Sequence, residues 1–235
     1  MTLPNEDVRA FLQDHFVLAY KNIEKEKHVG VSHGYKCTQD AVGTTNGAGG
    51  RNVQFFVLAA DTTVLHCMPG FWHAEDLIKE LQLALEVDRL YRTQSMSADR
   101  KGEMYELLHG THLRRHGPEM DKRGYWQSFD QSYEMQRAQR EIRDTVATDS
   151  EGKRSMRPLV TVLHNRMVSR RFQKFEDFDI ESFVDYGRPF YDNNRGKGRR
   201  FARAESNQKK RAKAAAKKRK KARRRSKTEK WVVRG

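Results

Sequence analysis

The chain has 235 residues, 37% of them hydrophobic and 33% charged, with a formal net charge of +15. That length accommodates one good core or two small ones, and no apolar run approaches the ~18 residues of a membrane span. No basic segment leading into an apolar run opens the chain as a secretory signal would. Its two cysteines, Cys37 and Cys67, make no disulfide framework, which fits a reduced, cytoplasmic setting.

Asn5 is placed to cap a short helix over residues 7–12, with Val8, Phe11 and Leu12 on one face. Residues 15–20, His-Phe-Val-Leu-Ala-Tyr, read as a short buried strand. From residue 24 to 51 the pattern fails, and Gly30, Gly34, Gly43, Gly47, Gly49 and Gly50 mark a polar loop. Thr44 to Arg51 in that loop precedes a strand rather than a helix, which is the wrong order for a phosphate loop, so a mobile connector is expected.

Next comes the clearest local signal. Residues 53–59 read as a strand, 60–63 as a tight turn and 64–68 as a second strand closed by Pro69 and Gly70. A helix is expected from His73 or Ala74 to about Tyr91, with Leu77, Ile78, Leu81, Ala84, Leu85, Val87 and Leu90 as its apolar stripe. Phe71 and Trp72 at the hairpin-to-helix turn are expected to fold back and staple the helix start.

Residues 93–194 are more polar. Helices are expected over 107–115 and 133–146, a linker over 148–157, and a short strand or helix start at 158–163. An aromatic segment from Phe172 to Tyr191 carries Asp177, Asp179, Glu181 and Asp185 among its acids and is expected to wrap the body. Those acids offer weak, salt-sensitive pairing to any cationic segment nearby, at ~0–1 kcal/mol per exposed pair.

The last segment holds the charge. Residues 195–235 contain 20 Lys or Arg against Glu205 and Glu229, leaving the first 194 residues at a net charge of −3. A block of this density repels itself and stays extended or transiently helical until a polyanion neutralises it. The densest run comprises Lys209, Lys210, Arg211, Lys213, Lys217, Lys218, Arg219, Lys220, Lys221, Arg223, Arg224 and Arg225. Its alanines favour a helix once phosphates remove the repulsion. Only Phe201 and Trp231 in this segment are suited to stack on bases, so the expected contact is with phosphate rather than base edges.

The hairpin, Gly70 and the helix after them, FFVLAADTTVLHCMPGFWHAEDLIKEL, resemble the C-terminal part of a thioredoxin-like domain. Residues 8–91, about a third of the chain, carry the resemblance. It implies an α/β fold with a partial thioredoxin-like sheet and a closing helix over residues 1–92. A polar α-rich extension over 93–194 and the basic tail over 195–235 would follow. The departures bear on activity: no Cys-x-x-Cys occurs, and no proline lies between Pro4 and Pro69 to supply the family's cis-proline. Dithiol exchange needs a low-pKa thiolate and a partner cysteine. The resemblance therefore implies a non-enzymatic binding module that its tail anchors to nucleic acid or a ribonucleoprotein, with no cofactor. The rival is a thioredoxin-family redox protein whose active-site segment lies upstream of this sequence.

Two further groups were weighed. Cys37 lies in a glycine-bounded loop beside Lys36, whose charge would lower its pKa, making it a candidate redox-sensitive thiol against the plainer reading of a loop cysteine. Cys67, inside the second strand, reads as inert core. His109, His112 and His116 fall on one face of a helix, a spacing that suits zinc or nickel. Gly110 and the adjacent Arg114 and Arg115 argue against it, and no carboxylate pattern completes a site, so a wet, partly charged face is expected.

Overall fold

A computed structural model of the protein describes residues 2–23, 26, 29, 45–48 and 53–188. Cys37, most of the glycine-punctuated loop and the basic run from Lys209 to Arg225 lie outside the described residues. The described part is mixed α/β, with seven α-helices and two small antiparallel sheets.

Helix α1 (Glu6–His15) begins as its sequence dictates: the Asn5 side chain accepts from the Val8 amide at 3.1 Å. The expected strand over residues 15–20 does not form. The chain leaves α1 at Phe16 and runs extended, with Val17 and Tyr20 exposed. An apolar run becomes a strand only beside a partner ladder, and the strands among the described residues pair within their own hairpins.

The main hairpin joins β1 (Gln54–Leu58) to β2 (Val64–Pro69), with Phe56 opposite Cys67 and a bulge between Val57 and Leu58. Every residue of β2 is buried, whereas β1 is mostly half-buried. Gly70 ends it at φ 83°, where a Cβ would collide with the backbone of Gly47 and Ala48, so no side chain fits. Trp72 folds back as expected, its indole N–H donating to the Pro69 carbonyl at 3.0 Å.

Helix α2 (Ala74–Arg92) buries the expected stripe of Leu77, Leu81, Ala84, Val87 and Leu90, each large aliphatic contributing about 1.5–3 kcal/mol. The same helix also buries Asp76 and Glu80 completely. Residues 45–48, expected in a mobile connector, instead lock its start. The Asn46 side chain accepts from the His73 amide at 2.9 Å and donates to Asp76 at 2.8 Å.

Helix α3 (Ala98–Arg114) packs on α2 and runs straight through Gly110. A Cβ there would meet ordinary space, so that glycine costs only about 1 kcal/mol of propensity. Short helices α4 (Pro118–Arg123) and α5 (Ser128–Arg137) follow. The stretch expected to be a linker forms a second hairpin, β3 (Val146–Thr148) with β4 (Arg154–Met156). Asp149 supplies the turn, accepting from the amides of Glu151 and Lys153, with Gly152 at φ 79°.

Helix α6 (Leu159–Val168) resolves the open reading at 158–163 as a helix, started by Pro158 and packed on α3 and β2. A single 3-10 turn (Phe175–Asp177) and α7 (Ile180–Phe183) complete the described chain. Tyr105, Met120, Trp126, Leu163, Met167 and Phe183 share one core with the hairpin and α2. Two acids of the last segment, Asp179 and Asp185, are engaged within the body. Asp185 accepts from Arg137 and Arg143 at 2.8 and 3.0 Å, and Asp179 caps α7. Among the described residues, no helix is long and apolar enough to cross a membrane.

Candidate metal centre

The packing of α2, α3 and α6 brings four polar side chains to one buried point. Glu80 comes from the inward face of α2, His112 from the last turn of α3, His116 from the connection just past the end of α3, and His164 from α6. Their ligand atoms all lie within 4.8 Å of one another. Glu80 Oε1 sits 3.0 Å from His112 Nε2, 3.4 Å from His164 Nε2 and 3.9 Å from His116 Nε2. A tetrahedral centre with arms of ~2.0–2.1 Å holds its donors roughly 3.3 Å apart, a spacing these distances bracket. Three imidazoles and one carboxylate form a donor set suited to a divalent first-row metal.

Two more histidines back this group. His66 of β2 donates from Nε2 to Glu80 Oε2 at 2.8 Å. His109, one turn before His112 on α3, has its Nδ1 2.8 Å from His164 Nδ1. Glu80, His66, His109 and His164 are all buried. The His116 side chain is 5% exposed, and its Nε2, aimed at Glu80, has no hydrogen-bond partner among the described residues. A buried polar atom without a partner costs about 1–3 kcal/mol, and a cation between it and Glu80 would remove that cost.

The electrostatics suit cation binding. Burial raises the Glu80 carboxyl, but His164 and the hydrogen bonds from His112, His164 and His66 outweigh it and hold the group well below its ordinary value. Burial lowers His109, His116 and His164, with His116 brought to about 4. Near neutral pH the Glu80 carboxylate therefore faces neutral His116 and His164 imidazoles, the protonation state that ligation requires.

The same shifts set a pH dependence for metal-free protein. Each of these histidines takes up a proton more readily unfolded, near 6.5, than folded. Their contribution to stability is present above that value and is lost as the pH falls below it, for His116 down through about 4. Glu80, also lowered, loses its contribution as the pH falls below its ordinary value of 4.5. Urea unfolding of chelated protein at pH 7.5, 6.0 and 5.0 should show stability falling with a slope of up to about three protons. A flat profile over that range would show the imidazoles to be wet.

The wet histidine face expected from sequence is thus corrected: α6 covers it, burying His109 and His164 against each other. Of the three histidines His109, His112 and His116 read together from the sequence, His112 and His116 are among the converging groups. His109 is not one of the four converging groups, and Glu80 and His164 were missed because each comes from a different helix. The i, i+4 spacing of His112 and His116 was the one signal that sequence carried. Cys67 is a free, buried thiol pushed well above its ordinary value by burial, in keeping with an inert core role.

No family model, curated protein or solved structure matches this chain.

Proposed function

We propose that this chain is a non-enzymatic binding module built round a divalent-metal centre and anchored to nucleic acid or a ribonucleoprotein by residues 195–235. The observation that carries the metal assignment is the convergence of Glu80, His112, His116 and His164 within 4.8 Å. Four protein side chains fill the four positions of a tetrahedral ion, the pattern of a structural rather than a catalytic zinc site. The ion would tie α2, α3 and α6 together. The net charge of −3 before residue 195 supports assigning polyanion affinity to the tail. The hairpin, the glycine at its end and the amphipathic helix after it support reading residues 1–92 as a thioredoxin-like scaffold put to binding rather than redox use.

Zinc analysis of the purified full chain tests the metal centre. One equivalent per chain is expected, and its removal by a chelator should lower the melting temperature. Ligand at a thousand times its dissociation constant stabilises by about 4 kcal/mol, and each kcal/mol corresponds to ~2–4 °C in a chain of this size. No bound metal, together with no thermal shift on adding Zn²⁺, Co²⁺ or Ni²⁺, would remove the assignment.

The tail is tested by salt titration of binding to a generic duplex, comparing the full chain with a 1–194 truncation. If about ten of its cations reach phosphates, log K falls against log salt with a slope near −9, and the truncation does not bind. Equal binding by both would move the polyanion site into the body.

A further inference from the structure

Resting on the metal reading above, we infer that His109 is a positioning residue that fixes which nitrogen of His164 faces the metal. The two Nδ1 atoms are 2.8 Å apart, a hydrogen bond that holds one proton between two nitrogens. His164 turns its Nε2 toward Glu80, at 3.3 Å from Oε2. Without a metal that Nε2 donates to Glu80; for it to offer a lone pair to a metal instead, the His164 proton must sit on Nδ1. His109 Nδ1 must then be bare and accept it, which puts the His109 proton on Nε2.

Nothing else in the surroundings can take over this task. Both side chains are about 1% exposed, so water cannot substitute as acceptor. The His109 ring is held from its other side by Tyr105, centroids 4.4 Å apart, and Tyr105 is itself fully buried with its hydroxyl 3.4 Å from the Leu65 carbonyl. Among the described residues His109 Nε2 has no hydrogen-bond partner, so none of them competes on that side to dictate its tautomer. The other three converging groups cannot make up for a misdirected His164, because tetrahedral closure needs all four. A neutral acceptor behind a ligating histidine also adds no second negative charge, so a divalent ion leaves this site at a net +1. A carboxylate there, the commoner outer partner, would cancel it.

The test uses the full chain with Zn²⁺ and Co²⁺, measuring affinity by competition with a chromophoric chelator. His109→Leu keeps the bulk and removes the acceptor. Its affinity should fall about 10- to 100-fold, the usual effect of losing an outer partner. His109→Asn restores an acceptor oxygen near the position of Nδ1 and should recover to within about threefold of the unaltered chain. The Co²⁺ absorption of the Leu variant should lose intensity or shift as one nitrogen leaves the coordination sphere.

Nitrogen-15 NMR of the zinc-loaded, unaltered chain provides a readout independent of whether the variants fold. It should find the proton on Nδ1 of His164 and on Nε2 of His109. A proton on His109 Nδ1, or a folded His109→Leu chain with unchanged affinity, would overturn the inference while leaving the metal centre standing. Absence of any metal binding by the unaltered chain would overturn both.

Discussion

Glu80→Gln should weaken divalent-metal binding by more than a hundredfold, or by about 2.8 kcal/mol or more. Glu80 is the sole carboxylate among the four converging groups and is fully buried. A neutral amide keeps the shape and loses the charge that draws in a cation. It also presents an NH₂ group to imidazole nitrogens that donate to the carboxylate in the metal-free state. His66 and His112, at 2.8 and 3.0 Å, would each lose an acceptor or face a second donor. Chelated Glu80→Gln should therefore also be less stable than chelated unaltered protein, at about 1–3 kcal/mol per orphaned donor. Calorimetric titration with Zn²⁺, alongside urea unfolding with and without chelator, separates the two effects. Metal affinity within threefold of the unaltered chain would show that Glu80 serves only the histidine network.

Asp76→Ala should cost about 3–5 kcal/mol of stability, as expected when one partner of a buried ion pair is removed. The Asp76 carboxylate is fully buried and held below its ordinary range: burial would raise it, and hydrogen bonds from Arg123 and Asn46 outweigh that. Arg123 donates to both of its oxygens, at 2.7 and 2.8 Å, and Asn46 donates at 2.8 Å. Removing it strands the buried Asn46 amide, and with it the side chain that caps α2 at the His73 amide. Because Asp76 lies one turn before Glu80 on α2, fraying here should also loosen the metal centre. A double-mutant cycle with Arg123→Ala measures the coupling. A double variant no more damaged than either single one confirms a shared unit. Full additivity would show that Asp76 acts through Asn46 and the cap.

The parts of the fold legible in sequence were those decided within a few residues. The 53–70 hairpin announced itself through two short apolar runs, a turn and a closing glycine, and α2 through its 3.6-residue stripe. Asn5 marked the start of α1 because capping is a local hydrogen bond. Where the outcome needed a partner from elsewhere, local reading failed. Residues 16–20 have strand-like composition and no strand beside them. Residues 148–157 looked like a linker because Asp149 and Gly152 were not read as turn chemistry. The helix expected over 107–115 starts earlier, at Ala98, because the packing of α3 against α2 and α6 carries its polar first turns.

By itself the sequence determined the charge architecture, a near-neutral body followed by 41 residues carrying the excess cations, because charge depends on composition and not on fold. It also determined the hairpin and helix at the centre of the body, whose patterns are local. Only the tertiary structure decided the metal centre. His112 and His116 are close in sequence, but Glu80 and His164 are 32 and 52 residues from His112 and reach it through the packing of three helices. Burial then lowers His116 and His164 beside a single carboxylate, a change of chemistry that no residue in the linear chain expresses alone.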